Sequence, residues 1–173
     1  MSNKHRRSGM SIRTAVVFLA TLAFVPWAQA QTKISGTVQC AKPDKEFSIP
    51  VEGEPGHAYA ISHGTCTWIK PIEIAGTKTK ADVFTNYDEV KGSTAHGHGD
   101  GVGTLENGDQ FRVRLEGKSL LKDAAPVSSE GKWKFVGGTG ALKTVKGGGT
   151  YTCKAGTGGA MTCEVSGDYS VAK

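Results

Sequence analysis

The residues best suited to chemistry in this sequence are three polar side chains that alternate with glycine. His96, His98 and Asp100 occur in the segment AHGHGDG. If the segment is extended, alternate side chains share one face about 6.5 to 7 Å apart, because a strand rises about 3.3 Å per residue. Two such imidazoles can share a metal ion where the glycines let the strand bend, with His57 or His63 as a third ligand. A solvent-exposed Gly-His segment is the alternative, and we adopt it: no metal site is predicted.

Two glycine clusters, at residues 137–140 and 147–149, invite comparison with phosphate-binding loops. A P-loop requires Gly-Lys-Ser/Thr at the start of a helix, and a dinucleotide-binding fingerprint also requires a following helix. Neither context is present, so we interpret both clusters as structural glycines. No serine lies in a Gly-x-Ser-x-Gly elbow, and the neighbouring acids Asp88 and Glu89 would face opposite sides of a strand. The sequence therefore predicts no catalytic residue and no cofactor.

The first thirty residues have the features of a signal peptide. Four Lys and Arg side chains precede an apolar run of eleven residues at 15–25, and Ala28-Gln29-Ala30 supplies a small-x-small cleavage signature. Eleven apolar residues are too few to span a bilayer, which needs about 20. We predict cleavage after Ala30, which leaves one domain at residues 31–173, without a membrane segment, in the periplasm or outside the cell.

The net charge of the mature chain is close to zero. All 16 acidic residues but only 17 of the 21 Lys and Arg lie after position 30, so the mature charge is +1 and the basic pI of 9.0 derives largely from the leader. Nucleic-acid or anionic-membrane binding would need a clustered basic footprint. Neither partner is predicted.

All four cysteines, Cys40, Cys66, Cys153 and Cys163, remain after cleavage. An even number in an exported chain favours two disulfides, each adding roughly 2 to 4 kcal/mol of stability. Four cysteines allow three pairings, and sequence alone does not prove one. A hairpin turned by residues 155–160 favours Cys153 with Cys163, which leaves Cys40 with Cys66. A zinc site is the competing interpretation, but the spacings lack a paired CxxC.

The elements that would position these residues are short strands. Phe47, Ile49 and Val51 alternate with polar partners, as in a half-buried strand, and Pro50 indicates an edge position or a strand end. Residues 57–62 and 66–75 read as two strands separated at Gly64. Eight or nine strands at spacings near ten residues, without a capped amphipathic helix, predict an all-β barrel or sandwich.

Two further signals refine this pattern. Asn107-Gly108 predicts a two-residue type I′ hairpin turn, in which both central residues take a positive φ. After it, Phe111, Val113 and Leu115 alternate with charged residues, while residues 123–126 suggest a looser turn.

Two segments resemble a known family. GVGTLENGDQFRVRLEG at 101–117 and FVGGTGALKTVKGGGTYTC at 135–153 are similar to exported bacterial proteins of unknown function grouped with the allene oxide cyclase and dirigent type of β-barrel. The resemblance covers about half of the mature chain. It implies a single small antiparallel barrel of about eight strands, lipocalin-like or allene-oxide-cyclase-like, with an apolar interior and a tight strand-to-loop passage at 137–140. No catalytic residue of the plant members matches a position here, so none is transferred.

The aromatic side chains of the predicted strands are the candidate ligand-binding residues. They either pack as a core or line a cavity in which phenol hydroxyls such as that of Tyr59 orient a guest. The set comprises Trp68, Tyr87, Phe111, Trp133, Phe135 and Tyr151.

The functional expectation is a binding module rather than an enzyme. An aromatic strand set without a catalytic constellation favours a small apolar or amphipathic ligand, held within the barrel or at its mouth. The alternatives are a cofactor-independent cyclase or isomerase, and a structural or protein-interaction module whose barrel is filled and whose surface carries a coherent apolar patch. The sequence does not reveal the ligand or the oligomeric state.

Overall fold

The computed structural model describes residues 31–172, so the predicted signal peptide lies outside the described residues. Within this range the chain forms ten strands and two 3₁₀ turns at Gly140–Leu142 and Thr157–Gly159. The strands are β1 (Thr32–Cys40), β2 (Lys45–Pro50), β3 (His57–Lys70), β4 (Glu73–Ile74), β5 (Thr77–Lys91), β6 (Thr94–Leu105), β7 (Gln110–Lys122), β8 (Ala125–Gly138), β9 (Val145–Ala155) and β10 (Met161–Val171).

Eight of these strands close into an antiparallel barrel, as the sequence predicts. The hydrogen-bonded order is β3-β1-β10-β9-β8-β7-β6-β5, and β5 pairs with β3 to complete the ring. The first and last strands are neighbours, with Thr32 opposite Tyr169 and Cys40 opposite Met161. Within residues 31–172 no helix is long and apolar enough to cross a membrane.

Two disulfides join directly opposite residues of adjacent strands. Cys40–Cys66 links β1 to β3, and Cys153–Cys163 links β9 to β10, so both favoured pairings are confirmed. Cys66, Cys153 and Cys163 are buried, which identifies their faces of the strands as the inner ones. The bridges are consistent with an oxidising environment outside the cytoplasm.

The core is concentrated at one end of the barrel, which we call the plugged end. Loop 71–76 and the segment after β8 cover this end, and they bring in the deeply buried Ile74 and Leu142 beside Leu105. The main-chain N–H of Ala75 donates to the hydroxyl of Tyr169 at 3.0 Å, which ties the loop to β10. At the opposite end, β2 lies outside the ring and pairs with the first half of β3.

The strand β3 is longer than the sequence predicts. It runs without a break through Gly64, which pairs with Phe84 on β5 and whose missing side chain leaves room for the Phe84 ring. Its second half pairs with β1 and its first half with β2, both along the same edge. The two strands predicted at 57–62 and 66–75 are therefore one strand, and Ile72 and Ile74 belong to the plug.

Two turns differ from the sequence-based expectation. The connection at Asn107-Gly108 is not a two-residue type I′ turn, because it has four residues between β6 and β7 and, of Asn107 and Gly108, only the glycine has a positive φ (88°). The Asn107 side chain instead accepts a hydrogen bond from the N–H of Asp109 (3.0 Å), which stabilises the longer loop. Asp123-Ala124 instead forms a two-residue hairpin, in which both residues have positive φ, where the sequence suggests a looser turn at 123–126.

Candidate functional site

The structure divides the predicted ligand-binding aromatics between two faces. Four of them, Trp68, Phe111, Trp133 and Phe135, are buried inside the barrel, and Tyr151 points inward half-buried. Tyr87 is the exception. It pairs with Ile61 and His98 on the outer face and is 38% exposed, so the expectation that it lines the interior is wrong. The inner face of β5 carries Asp82 and Phe84 instead.

Packed rings occupy the interior around these residues. Phe135 makes edge-to-face contacts with Phe111 (centroids 5.6 Å apart) and with Trp133 (5.1 Å). Phe111 also covers Gly103, and Trp133 covers Gly167, so closely that neither glycine could carry a Cβ without displacing atoms. Inward glycines thus make room for large neighbours, which is how a small barrel is filled by its own side chains.

One half-buried acid, whose Oδ1 atom is buried, interrupts this apolar packing. The Asp82 carboxyl points inward from β5 opposite Cys66, and neither its Oδ1 nor the Nε1 of Trp68 has a hydrogen-bond partner among the described residues. Burial raises the pKa of Asp82 to about 6, and the nearby Trp68 indole only partly offsets this rise.

A groove on the outer face runs beside several of the candidate residues. Two cavities of about 330 and 760 Å³ share His96 and Gly97 and form one open trough across β3 and β5 to β9. With strands about 4.8 Å apart, the trough is about 24 Å long. We call it the outer groove.

Two rows of outward side chains form the walls of the outer groove. Within each row the residues are direct register partners on successive strands. One row is Tyr59, Glu89, His96, Lys118, Glu130 and Thr152. The other is Ile61, Tyr87, His98, Glu116, Lys132 and Thr150. The floor is the main chain of the residues between the rows, including Gly97, Gly117 and Gly131.

The end of the groove at β3 and β5 is aromatic and aliphatic. Tyr87 stacks on the His98 imidazole, with ring centroids 5.3 Å apart and planes inclined by 19°. Tyr59 and Ile61 stand beside it, 54% and 45% exposed. Glu89 lies at the edge of this apolar end. Its Oε1 accepts a hydrogen bond from Lys91 Nζ (2.8 Å) and lies 3.0 Å from His57 Nε2. Hydrogen bonds from Lys91 and then His57 lower the pKa of Glu89.

The other end of the groove is charged but balanced. Lys118 and Glu130 form an ion pair at 2.9 Å, and Glu116 lies directly opposite Lys132. Tyr151 lies beneath this end, with its hydroxyl against Gly117 and Gly131, and burial raises the pKa of its phenol. The groove therefore changes from apolar to polar along its length.

The four histidines within residues 31–172 are not gathered into a metal centre. His96 and His98 do share the outer face of β6, as the alternation predicts. His57 lies between Glu54 (2.6 Å) and Glu89, and His63 contacts Asp44 at 2.7 Å. In the part of the chain that the structure describes, no three metal-ligating side chains form a cluster.

Sequence reasoning missed most of the groove. Glu89, Lys118, Glu130 and Lys132 come together only through the register of four successive strands, β5 to β8, and no local spacing reveals it. The available signal was the alternation in β7 and β8, which predicts charged side chains on the outer face. It does not predict which charges stand opposite each other.

Comparisons with known proteins do not indicate a function, so its assignment rests on the fold and the groove. No protein-family model matches the chain, and no curated protein shows significant sequence similarity to it.

Proposed function

We propose that the mature chain is a periplasmic or secreted binding protein that holds a small amphipathic ligand in the outer groove. The observation that supports this proposal best is the polarity gradient of the groove, with exposed tyrosines at one end and paired charges at the other. Each of the two cavities that make up the groove, about 330 and 760 Å³, falls in the range of ligand sites, about 300 to 1,000 Å³. The proposal keeps the ligand class expected from the sequence and moves its site from the barrel interior to the outer face.

The apolar part of the ligand would lie on Tyr59, Ile61 and Tyr87. These side chains are well exposed, and covering apolar surface stabilises a complex by about 25 cal/mol per Å². The Tyr87–His98 stack presents a flat, rigid surface, since each ring restricts the other. A planar ring or an extended hydrocarbon chain fits this surface better than a bulky group does.

The polar part of the ligand would lie between Glu116, Lys118, Glu130 and Lys132. Carboxylates and ammonium groups alternate here, so a strongly anionic or cationic head group would meet repulsion as well as attraction. A zwitterionic or polyhydroxyl head group can bond to both signs. We therefore infer that the head group is neutral overall.

The interior is the less suitable site because its aromatic rings already contact one another and the inward glycines. A guest there would have to displace packed side chains, and overpacking a core costs about 1 to 3 kcal/mol. The outer groove needs no such rearrangement.

Titration with a panel of amphipathic ligands, followed by NMR, tests the proposal. The panel should include zwitterionic lysolipids, alkyl glycosides and phenolic glycosides, with fatty acids for comparison. We expect saturable shifts at His96, His98 and Tyr87, and unchanged indole N–H resonances of Trp68 and Trp133. Tyr87→Ala should weaken binding about tenfold, by loss of stacking and buried area. Val102→Ala, on the outer face beyond the groove, should not. Saturable shifts confined to the Trp68 and Trp133 indoles would refute the groove site.

A further inference from the structure

The strand β2 stands outside the closed ring and has a free edge. It pairs with β3 on one side, and in the sheet order of residues 31–172 it is a terminal strand. All six of its residues are exposed. A closed barrel removes strand edges, so an open edge at its rim is a template for one more strand.

The hydrogen-bonding groups at this edge follow from the register. Pro50 lies opposite Ala58, and the N–H of the next residue, Val51, donates to His57 O at 2.9 Å. Antiparallel pairs alternate between bonded and non-bonded, so the odd-numbered residues of β2 bond to β3. The main-chain groups of Glu46, Ser48 and Pro50 therefore point to the free edge. Proline has no N–H, so this edge offers three acceptors and two donors.

The outward side chains of β2 are the most exposed large apolar residues of the described chain. Phe47 is 68% exposed and Ile49 is 71% exposed, although the alternation of β2 predicts a half-buried strand. Across the ladder they adjoin Ile61 and Tyr59, so the four form one continuous patch. We call it the β2 patch. Apolar patches of this kind on a soluble domain commonly mark interaction surfaces.

We propose that β2 pairs antiparallel with β2 of a second copy of the chain, about a two-fold axis through Ser48. In this register the N–H of Ser48 donates to the C=O of the partner's Ser48, and the reverse. The N–H of Glu46 donates to the C=O of the partner's Pro50. The two copies thus form four main-chain hydrogen bonds, and no bond requires the N–H that Pro50 lacks.

The same register is self-complementary in its side chains. Phe47 lies opposite the partner's Ile49, and the two-fold axis repeats this pair. Both are non-hydrogen-bonded pairs, in which side chains approach most closely. The interface joins the two β2 patches, so Ile61 and Tyr59 of each copy flank a central apolar strip. Because a two-fold contact uses the free edge of β2 once in each copy, it closes as a dimer and does not propagate.

Sedimentation over a wide range of protein concentration tests the dimer. We expect a reversible monomer–dimer equilibrium. Ser48→Pro removes the central donor and fits the edge conformation of β2, and it should weaken the dimer at least about tenfold. Phe47→Ser should do the same. Val136→Ser, which changes an apolar residue 47% exposed on β8, should leave the equilibrium unchanged.

A crosslink locates the axis. Bonded antiparallel partners have Cα atoms about 5.5 Å apart, within the range that a disulfide spans. Ser48→Cys should therefore form an intermolecular disulfide under mild oxidation, and Ile69→Cys, on exposed β3 surface, should not. The proposal would be overturned if the protein were a monomer at every concentration, or if Ser48→Pro left the dissociation constant of the dimer unchanged.

Discussion

The indole Nε1 of Trp68 and the carboxyl Oδ1 of Asp82 both lie buried within the barrel, and neither has a hydrogen-bond partner in residues 31–172. A buried polar atom without a partner costs about 1 to 3 kcal/mol, and an ionised one costs more. We therefore expect this site to lower the stability of the barrel at neutral pH.

Asp82→Asn should stabilise the protein at neutral pH. The pKa of Asp82 rises from 3.8 to about 6 in the folded state. Between about pH 4 and about pH 6 the folded protein therefore keeps Asp82 protonated, whereas the unfolded chain has it ionised. The stability of the native chain should therefore fall as pH rises from about 4 to about 6, by up to about 3 kcal/mol. The variant should lose this slope and gain about 1 to 3 kcal/mol near pH 7. Denaturant unfolding at several pH values measures both effects.

The control for this prediction is Asp100→Asn. Asp100 pairs with Arg114 on the exposed outer face, where ion pairs contribute little. If Asp82→Asn lowered stability at neutral pH and kept the slope, the carboxylate would have a partner that the geometry does not show.

Gly103→Ala should destabilise the barrel, because the new methyl group would clash with the aromatic ring of Phe111. A Cβ at Gly103 would meet three ring atoms of Phe111, the residue directly opposite on β7. We expect a loss of about 1 to 3 kcal/mol. Adding Phe111→Leu should recover part of that loss, because the smaller side chain vacates the space. A double-mutant cycle measured by denaturant unfolding gives the coupling, and additive effects would contradict the direct contact.

Removal of Cys40–Cys66 should cost more stability than removal of Cys153–Cys163. The first bridge spans 26 residues and the second spans 10. Loop-closure entropy gives about 3.5 and about 2.7 kcal/mol, respectively. Thermal unfolding of Cys40→Ala/Cys66→Ala and of Cys153→Ala/Cys163→Ala makes the comparison. The reverse order would show that native-state packing of the bridges outweighs chain entropy.

Tyr169→Phe should loosen the plug without unfolding the barrel. The variant leaves the N–H of Ala75 without its acceptor, at a cost of about 1 kcal/mol. Hydrogen exchange of the Ala75 amide should accelerate, while exchange in β6 and β7 stays unchanged. Tyr59→Phe, which removes an exposed hydroxyl 3.4 Å from Glu89, is the control. Unchanged exchange at Ala75 in Tyr169→Phe would mean that the hydroxyl does not hold the loop.

The fold was predictable from the sequence because alternation and cysteine spacing are local signals. The inward positions of Phe111, Trp133 and Phe135 follow from strict period-2 patterns. The face of Tyr87 did not follow, because β5 has aromatic residues on both faces. The face of Tyr87 is decided by long-range contacts. The disulfide to Cys40 places Cys66 on the inner face of β3, and Cys66 pairs with Asp82 on β5. In this register Asp82 faces inward and Tyr87 faces outward.

The exposure of Phe47 and Ile49 was unpredictable for a different reason. Alternation shows that one face of β2 is apolar, but it does not show what covers that face. Phe47 and Ile49 lie beside Ile61 and Tyr59 on the outer face of the sheet, where none of the described residues covers them. The outer groove was equally hidden, because its charged residues become neighbours only through three strand pairings, from β5 to β8.

The pairing of β1 with β10 also constrains the order of folding. These strands are about 120 to 140 residues apart along the chain. The ring of strands therefore cannot close until β10 has been synthesised and has reached β1. Contacts of such long range slow folding towards the millisecond-to-second regime. During that interval the edges of β1 and β10 are unprotected. The Cys153–Cys163 bridge joins β9 to β10, so it secures only the other edge of β10 and leaves the β1–β10 seam to close last.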